Sequence, residues 1–317
     1  MRRAVRSDGR LAYEQRVNRV IDHIRAHLAE ELSLATLARV AAFSPFHFHR
    51  VFRAITGETL FGFIQRLRIE KAAGALRLYP DLSVLAVALD HGFSSAATFA
   101  RAFRAHFDMS ATQWRAGGAE RWRARQERGC KPGKPLRKPR KAGRRGRADS
   151  GPDGRQGGSM RVQVKALPAF HVAYMRYVGP YGAHGIPALW RRLLTWMEPR
   201  GLCTPDRITL GVAYDDPAIT AAEQCRYDAS VVVPPDFVAD RWVNLTDVQG
   251  GRYAVAGFVG TAHEIEGAWN HVFRAWLPGS GYEPDDRPCY ELYRGNPTLD
   301  AKGRRFRCEL CLPVRPL

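Results

Sequence analysis

Phe43-Ser44-Pro45-Phe46-His47-Phe48-His49-Arg50-Val51-Phe52-Arg53 returns fifty residues later, with one extra residue, as Phe93-Ser94-Ser95-Ala96-Ala97-Thr98-Phe99-Ala100-Arg101-Ala102-Phe103-Arg104. Each copy follows a short apolar segment, Leu37-Ala38-Arg39-Val40-Ala41 in the first case and Val87-Ala88-Leu89-Asp90-His91 in the second. In the first copy Ser44 is suited to cap a helix and Pro45 to occupy its first turn. Phe48, Phe52 and Ile55 then fall on one stripe, and Phe46, His49, Arg50 and Arg53 on another. A short helix, a tight turn and a second helix with outward arginines can place side chains in a DNA groove, and two copies predict two grooves. In the second copy Phe99, Phe103 and Phe107 form the inward stripe, and Arg101 and Arg104 point away.

An isolated amphipathic helix with solvated arginines would show the same pattern. The repetition, the paired turns and the charge distribution favour DNA. Of the net charge of +18, residues 1–158 carry 31 Lys and Arg against 14 Asp and Glu, whereas residues 159–317 carry 18 against 17. A basic half beside a neutral half predicts one part for a polyanion and one for a different ligand. No run of eighteen apolar residues is present, so no membrane partner is expected. Six cysteines in 317 residues do not make a disulfide framework, and a cytoplasmic, nucleoid-associated location is expected.

The chain reads as multidomain. Residues 11–116 are predicted all-α, with Tyr13, Val17, Val20, Ile21, Ile24 and Leu28 on one buried face, Ser33 and Ser83 as caps, and a long helix over Phe61–Leu76 joining the halves. Residues 117–158, with 14 Lys and Arg against 4 Asp and Glu and no apolar period, are predicted to be a disordered linker. Such a linker argues against rigid transmission between domains. Residues 159–317 form an α+β unit that is itself duplicated at an offset of 79. Trp190 matches Trp269, and Tyr227-Asp228-Ala229-Ser230-Val231-Val232-Val233-Pro234 matches Phe306-Arg307-Cys308-Glu309-Leu310-Cys311-Leu312-Pro313. Each half reads as strand, helix, strand, strand, which predicts a cleft between two related halves. The offset sets Glu291 against Val212, so the fold itself does not require a carboxylate there. Beside Tyr293, Glu291 suits a cationic or polarised organic ligand, although a solvent-facing strand glutamate fits the local sequence as well. Cys308 and Cys311 lack a second pair for zinc, so no metal is expected.

Residues 13–116 resemble the DNA-binding domain of the AraC/XylS family of transcription regulators. The resemblance is carried by Leu37-Ala38, Phe43-Ser44-Pro45, Phe48 through Arg53, Arg66-Leu67-Arg68-Ile69-Glu70-Lys71-Ala72, Ala88 through Ser95 and Phe99 through Arg104. It implies two helix-turn-helix units entering successive major grooves about 34 Å apart. The implied base-facing positions are Phe46, His49 and Arg50, then Ala97, Thr98 and Arg101, with Arg53 and Arg104 alongside. Double-stranded promoter or operator DNA and RNA polymerase are the implied partners. The family usually has Gly where this chain has Ala42, at a cost of up to about 1 kcal/mol if that residue needs positive φ. Ala96 and Ala97 leave the second helix poor in base-reading groups, so phosphate contacts and DNA shape are expected to matter more there.

Residues 160–317 resemble the GyrI-like effector-binding domain through Cys225 to Pro234, Gly251-Arg252-Tyr253-Ala254-Val255, Ala268-Trp269 and Tyr290-Glu291-Leu292-Tyr293. The resemblance places Glu291 centrally in a ligand cleft, with Tyr174, Trp190, Tyr253, Trp269 and Tyr293 as candidate walls. A small, cationic amphipathic effector is the implied ligand, with no cofactor and no catalysis. A small-molecule hydrolase and a protein-binding module are the alternatives for this half.

Overall fold

The structure, a computed structural model, describes residues 2–129, 160–182, 185–299 and 305–317. The N-terminal part is helical: α1 (Arg2–Ala26), α2 (Leu34–Val40), α3 (Pro45–Thr56), α4 (Leu60–Leu78), α5 (Val84–Asp90), α6 (Ala96–Phe107) and α7 (Ala111–Gln113). After the π-helical turn Trp114–Gly118 comes α8 (Ala119–Gly129). Ser33, Ser44, Ser83 and Ser95 each accept a hydrogen bond from the backbone N–H three residues on, so local chemistry starts α2, α3, α5 and α6. Two cores result. Val17, Val20, Ile21, Ile24, Leu37, Phe48, Phe52 and Phe63 pack the first helix-turn-helix unit, and Ala72, Leu76, Val87, Phe99, Phe103, Phe107 and Trp114 the second.

Helix α4 contributes to both cores, and Arg68 on it ties the units together. Its guanidinium donates to the carbonyls of Leu28 (2.9 Å), Glu30 (2.8 Å) and Gly92 (2.9 Å). The expected linker does not start as coil: Ala119–Gly129 is α8, whose Trp122 packs against Phe107 at 5.1 Å and so gives this basic segment an apolar anchor. Residues 130–159 of the expected linker lie outside the described residues.

The C-terminal part comprises β1 (Val162–Leu167), β2 (Phe170–Val178), α9 (Gly185–Met197), β3 (Ile208–Ala213), β4 (Arg226–Val232), β5 (Asn244–Val248), β6 (Gly251–Thr261), α10 (Ile265–His271), β7 (Tyr282–Pro284), β8 (Cys289–Arg294) and β9 (Arg305–Pro316). They form a nine-stranded antiparallel sheet ordered β1-β6-β9-β8-β3-β4-β2-β5, with β7 paired to β9. The two halves β2-α9-β3-β4 and β6-α10-β8-β9 join at the central β3–β8 pair.

Strand alternation divides the sheet into two faces. Ala173, Met175, Tyr227, Ala229 and Val231 pack with α9, and Tyr293, Cys308 and Leu310 with α10. Val172, Leu210, Val212, Tyr253, Tyr290, Leu292 and Cys311 form a separate core on the far face. Cys308 and Cys311 therefore lie on opposite faces. The uniform repeat offset also needs correction at the centre of the sheet. Val212 is on the far face and pairs with Tyr290, whereas Glu291 pairs with Gly211. Glu291 and Val212 therefore lie on opposite faces of the sheet, as a one-residue slip places them, so the correspondence of Glu291 with Val212 does not hold.

The domains are docked, contrary to the loose tethering expected from the linker. The Gln15 amide donates to the carbonyls of Asp240 and Val243, both at 2.6 Å, and Arg176 Nη2 reaches Asp22 at 2.8 Å. The Tyr79 hydroxyl donates to the Pro284 carbonyl at 2.7 Å, and Ile219 is part of the core of the second helix-turn-helix unit. Among the described residues, no helix is long and apolar enough to cross a membrane.

Candidate DNA interface and effector site

Helix α3 buries Phe48 and Phe52 completely and leaves its opposite side open. Phe46 is 70% exposed, and His49, Arg50 and Arg53 are exposed with it. The Arg50 guanidinium lies 5.2 Å from the centre of the Phe46 ring, a cation–π contact that holds the arginine beside an apolar face. An arginine so held can present a bidentate donor pair to a guanine edge while the ring meets a thymine methyl. The Ser44 hydroxyl is hydrogen-bonded to His47 Nδ1 at 2.9 Å, so His47 serves the helix cap and His49 remains outward.

Helix α6 is built the same way, with Phe99, Phe103 and Phe107 fully buried and Ala97, Arg101 and Arg104 exposed. Thr98 is only half-exposed, and its hydroxyl is hydrogen-bonded to Ser95 Oγ at 3.0 Å. The one hydroxyl available for base reading is therefore turned back onto the cap. The turns preceding the two helices also differ. Ala42 has φ +52° and Gly92 φ +77°, so the first turn does hold a residue with a Cβ in the left-handed region.

On the helix face of the C-terminal sheet, Glu291 is half-buried at the centre of β8. The Tyr227 hydroxyl donates to its Oε2 at 2.7 Å, and the Tyr293 hydroxyl donates to the same oxygen at 2.8 Å. Trp190 Nε1 donates to Tyr227 Oη at 3.2 Å, and the Trp190 ring meets Tyr293 edge-on at 5.3 Å. The Trp269 side chain packs on the same face. Burial raises the Glu291 pKa above the usual carboxylate range, against the lowering effect of its hydroxyl donors and of Trp269. Burial, followed by the nearby Glu291 charge, drives both tyrosines well above the usual phenol range, so they stay protonated and donate. Gly211 makes this packing possible. A Cβ there would lie 1.9 Å from Tyr227 Oη and 2.7 Å from Glu291 Oε2. A carboxylate set among four aromatic side chains can balance a cation while the rings cover its apolar part.

Glu291, Tyr293, Trp190 and Trp269 lie together on the helix face, but two of the candidate walls lie elsewhere. Tyr174 is on the far face, where its hydroxyl donates to Asp22 of α1 and accepts from Asn244 at 3.2 Å. Tyr253 is fully buried in the far-face core, with its hydroxyl donating to the Gln249 carbonyl at 2.6 Å and its ring 5.1 Å from that of Tyr290. In both cases strand parity turns the ring away from Glu291. Tyr227 was missed. Its alternation with Ala229 and Val231 was the available signal, but that signal assigns a face only once the helix covering it is known.

The two halves of the chain match separate families. Residues 160–315 match the GyrI-like small molecule binding domain, and residues 37–117 match a helix-turn-helix domain. The SPbeta prophage-derived protein YosT of Bacillus subtilis (strain 168) is 32% identical over 156 residues, covering 49% of this chain and 100% of YosT. A DNA gyrase inhibitor of Escherichia coli (strain K12) is 30% identical over 160 residues, covering 50% of this chain and 98% of the inhibitor. The uncharacterized HTH-type transcriptional regulator YbfP of Bacillus subtilis (strain 168) is 37% identical over 97 residues, covering 31% of this chain and 32% of YbfP. With an AraC-type double helix-turn-helix at one end and the Glu291 domain at the other, the chain belongs to the DNA-binding transcription regulators that carry a C-terminal GyrI-like small-molecule-binding domain.

Proposed function

We propose that this regulator selects its promoter site chiefly through Phe46, His49, Arg50 and Arg53 of α3. Helix α6 anchors the second unit, with Arg101 and Arg104 on phosphates and Ala97 and Thr98 adding little base reading. The C-terminal domain takes a small lipophilic cation at Glu291, enclosed by Tyr227, Tyr293, Trp190 and Trp269, and the bound regulator acts on transcription beside RNA polymerase. The observation that carries the effector class is the ring-lined carboxylate with two hydroxyl donors on one oxygen. A cation entering there gains Coulomb attraction in a poorly solvated setting, whereas an anion meets a like charge.

Calorimetric titration with tetraphenylphosphonium, against the neutral and similarly shaped triphenylphosphine oxide, tests the effector class. Preference for the cation is expected in the full chain and its loss in Glu291→Gln. Equal binding of the two compounds would remove the cationic reading. For the DNA half, mobility shift with a selected site at two salt concentrations is expected to show sequence preference at both. Binding that ignores sequence would refute selection by α3.

A further inference from the structure

We infer that the C-terminal domain braces both helix-turn-helix units from behind, and that strand β4 links this brace to the Glu291 site. The inference rests on the reading of Glu291 as the effector site. Successive residues of β4 point to opposite faces. Tyr227 faces the helices and holds Glu291, while Arg226 and Asp228 face the other way and are 3% and 1% exposed.

Each of these two neighbours leads to a different helix-turn-helix unit. Asp228 accepts from Arg176 Nε at 2.8 Å and Nη2 at 2.7 Å, and Arg176 Nη2 also reaches Asp22 on α1 at 2.8 Å. The other Asp22 oxygen accepts from the Tyr174 hydroxyl, and Arg25, one turn on, lies 3.6 Å from the Tyr214 ring centre. That branch grips the first unit. Arg226 donates from its backbone N–H and from Nε to Asp215, both at 2.8 Å. Asp215 opens the segment in which Asp216 pairs with Arg77 at 3.1 Å and Ile219 enters the core of the second unit, 3.9 Å from where a Cβ on Gly74 would lie. That branch grips the second unit.

A displacement of Tyr227 on effector binding cannot be absorbed locally, because both flanking residues are buried in paired charges. Such contacts have discrete arrangements and do not deform smoothly. The two units must fit successive grooves about 34 Å apart, so a change in their relative attitude alters DNA affinity. The brace does not work by covering the reading surface, since Phe46, His49, Arg50 and Arg101 remain exposed.

The test uses the full chain, a selected DNA site and tetraphenylphosphonium as probe. Saturating probe is expected to change wild-type DNA affinity by about fivefold or more, within the usual range of allosteric coupling. In the double variant Asp22→Asn/Arg77→Ala, probe affinity is expected to stay within about twofold while the effect on DNA disappears. Asp22→Asn leaves Arg176 paired with Asp228, and Arg77 is an exposed partner, so the fold is retained. A ligand-free arm measures hydrogen exchange in α1 and α4. Tyr227→Phe, which removes only the hydroxyl, is expected to alter exchange there in the wild-type background and not in the double variant. A bound probe with unchanged DNA affinity, or exchange indifferent to Tyr227→Phe, overturns the brace. Failure of the probe to bind refutes the Glu291 reading instead, and the exchange arm still decides the coupling.

Discussion

The two repeated turns offer a reciprocal test of backbone strain. Ala42 sits at φ +52° and Gly92 at φ +77° in equivalent positions. Holding a Cβ in the left-handed region costs about 1–2 kcal/mol. Glycine at position 42 removes that cost but frees the unfolded chain, which returns about 0.5–1 kcal/mol. The Ala42 methyl is exposed, so little burial is lost. Ala42→Gly is therefore expected to stabilise the protein by about 0.5–1 kcal/mol. Gly92→Ala runs the other way. Its Cβ would lie 3.0 Å from the Ala29 carbonyl oxygen and 2.9 Å from Arg68 Cζ, disturbing the guanidinium that joins the two units. Together with the strain, a loss of about 2–4 kcal/mol is expected. Thermal unfolding of the full chain followed by far-UV circular dichroism, which is dominated by the helical half, reads both variants. A destabilising Ala42→Gly, or a neutral Gly92→Ala, would refute the strain argument.

Other outcomes follow from the two sites. Arg50→Ala is expected to relax base preference at one position of the site, by roughly 1–3 kcal/mol of discrimination, read as flattening at that position in a binding-site selection. Gly211→Ala forces Tyr227 and Glu291 apart and is expected to weaken tetraphenylphosphonium binding by about tenfold, measured by calorimetry; unchanged affinity would place the ligand elsewhere. Because burial raises the Glu291 pKa, probe affinity should climb as pH rises through that value, and the climb should vanish in Glu291→Gln. Burial also raises Glu70 to about 7, despite the nearby Arg66 and Arg226 and with Asp215 adding to the rise. The folded chain then binds more protons than the unfolded chain between the ordinary carboxylate pKa and 7, so stability falls as pH rises across that window. Melting temperatures at several pH values should show this decline in the wild type and a flatter profile in Glu70→Gln.

Local chemistry made much of the fold readable in advance. The helix starts at Ser33, Ser44 and Ser83, the inward phenylalanines of α3 and α6, and the outward arginines all depend on contacts within a few residues, where a 3.6-residue period and a capping hydroxyl leave few choices. The turn at Ala42 was legible only through the family resemblance, in which Gly is usual at that place. The candidate effector site was legible only in part. Glu291, Tyr293, Trp190 and Trp269 share the helix face, whereas Tyr174 and Tyr253 face the other way. Alternation along a strand says which residues share a face but not which face a distant helix will cover.

Tertiary structure alone decided that Tyr227 joins Glu291 across the β4–β3–β8 register, with Gly211 leaving room for both. It also decided that the two domains touch. A basic, apolar-poor connection predicts independence, but Asp22, Arg176, Asp228, Asp215 and Arg226 are scattered over some two hundred residues, and only the sheet gathers them into one buried cluster. Charged residues read one at a time belong to solvent. Their partners are fixed by strand pairing and docking, which sequence separation does not reveal.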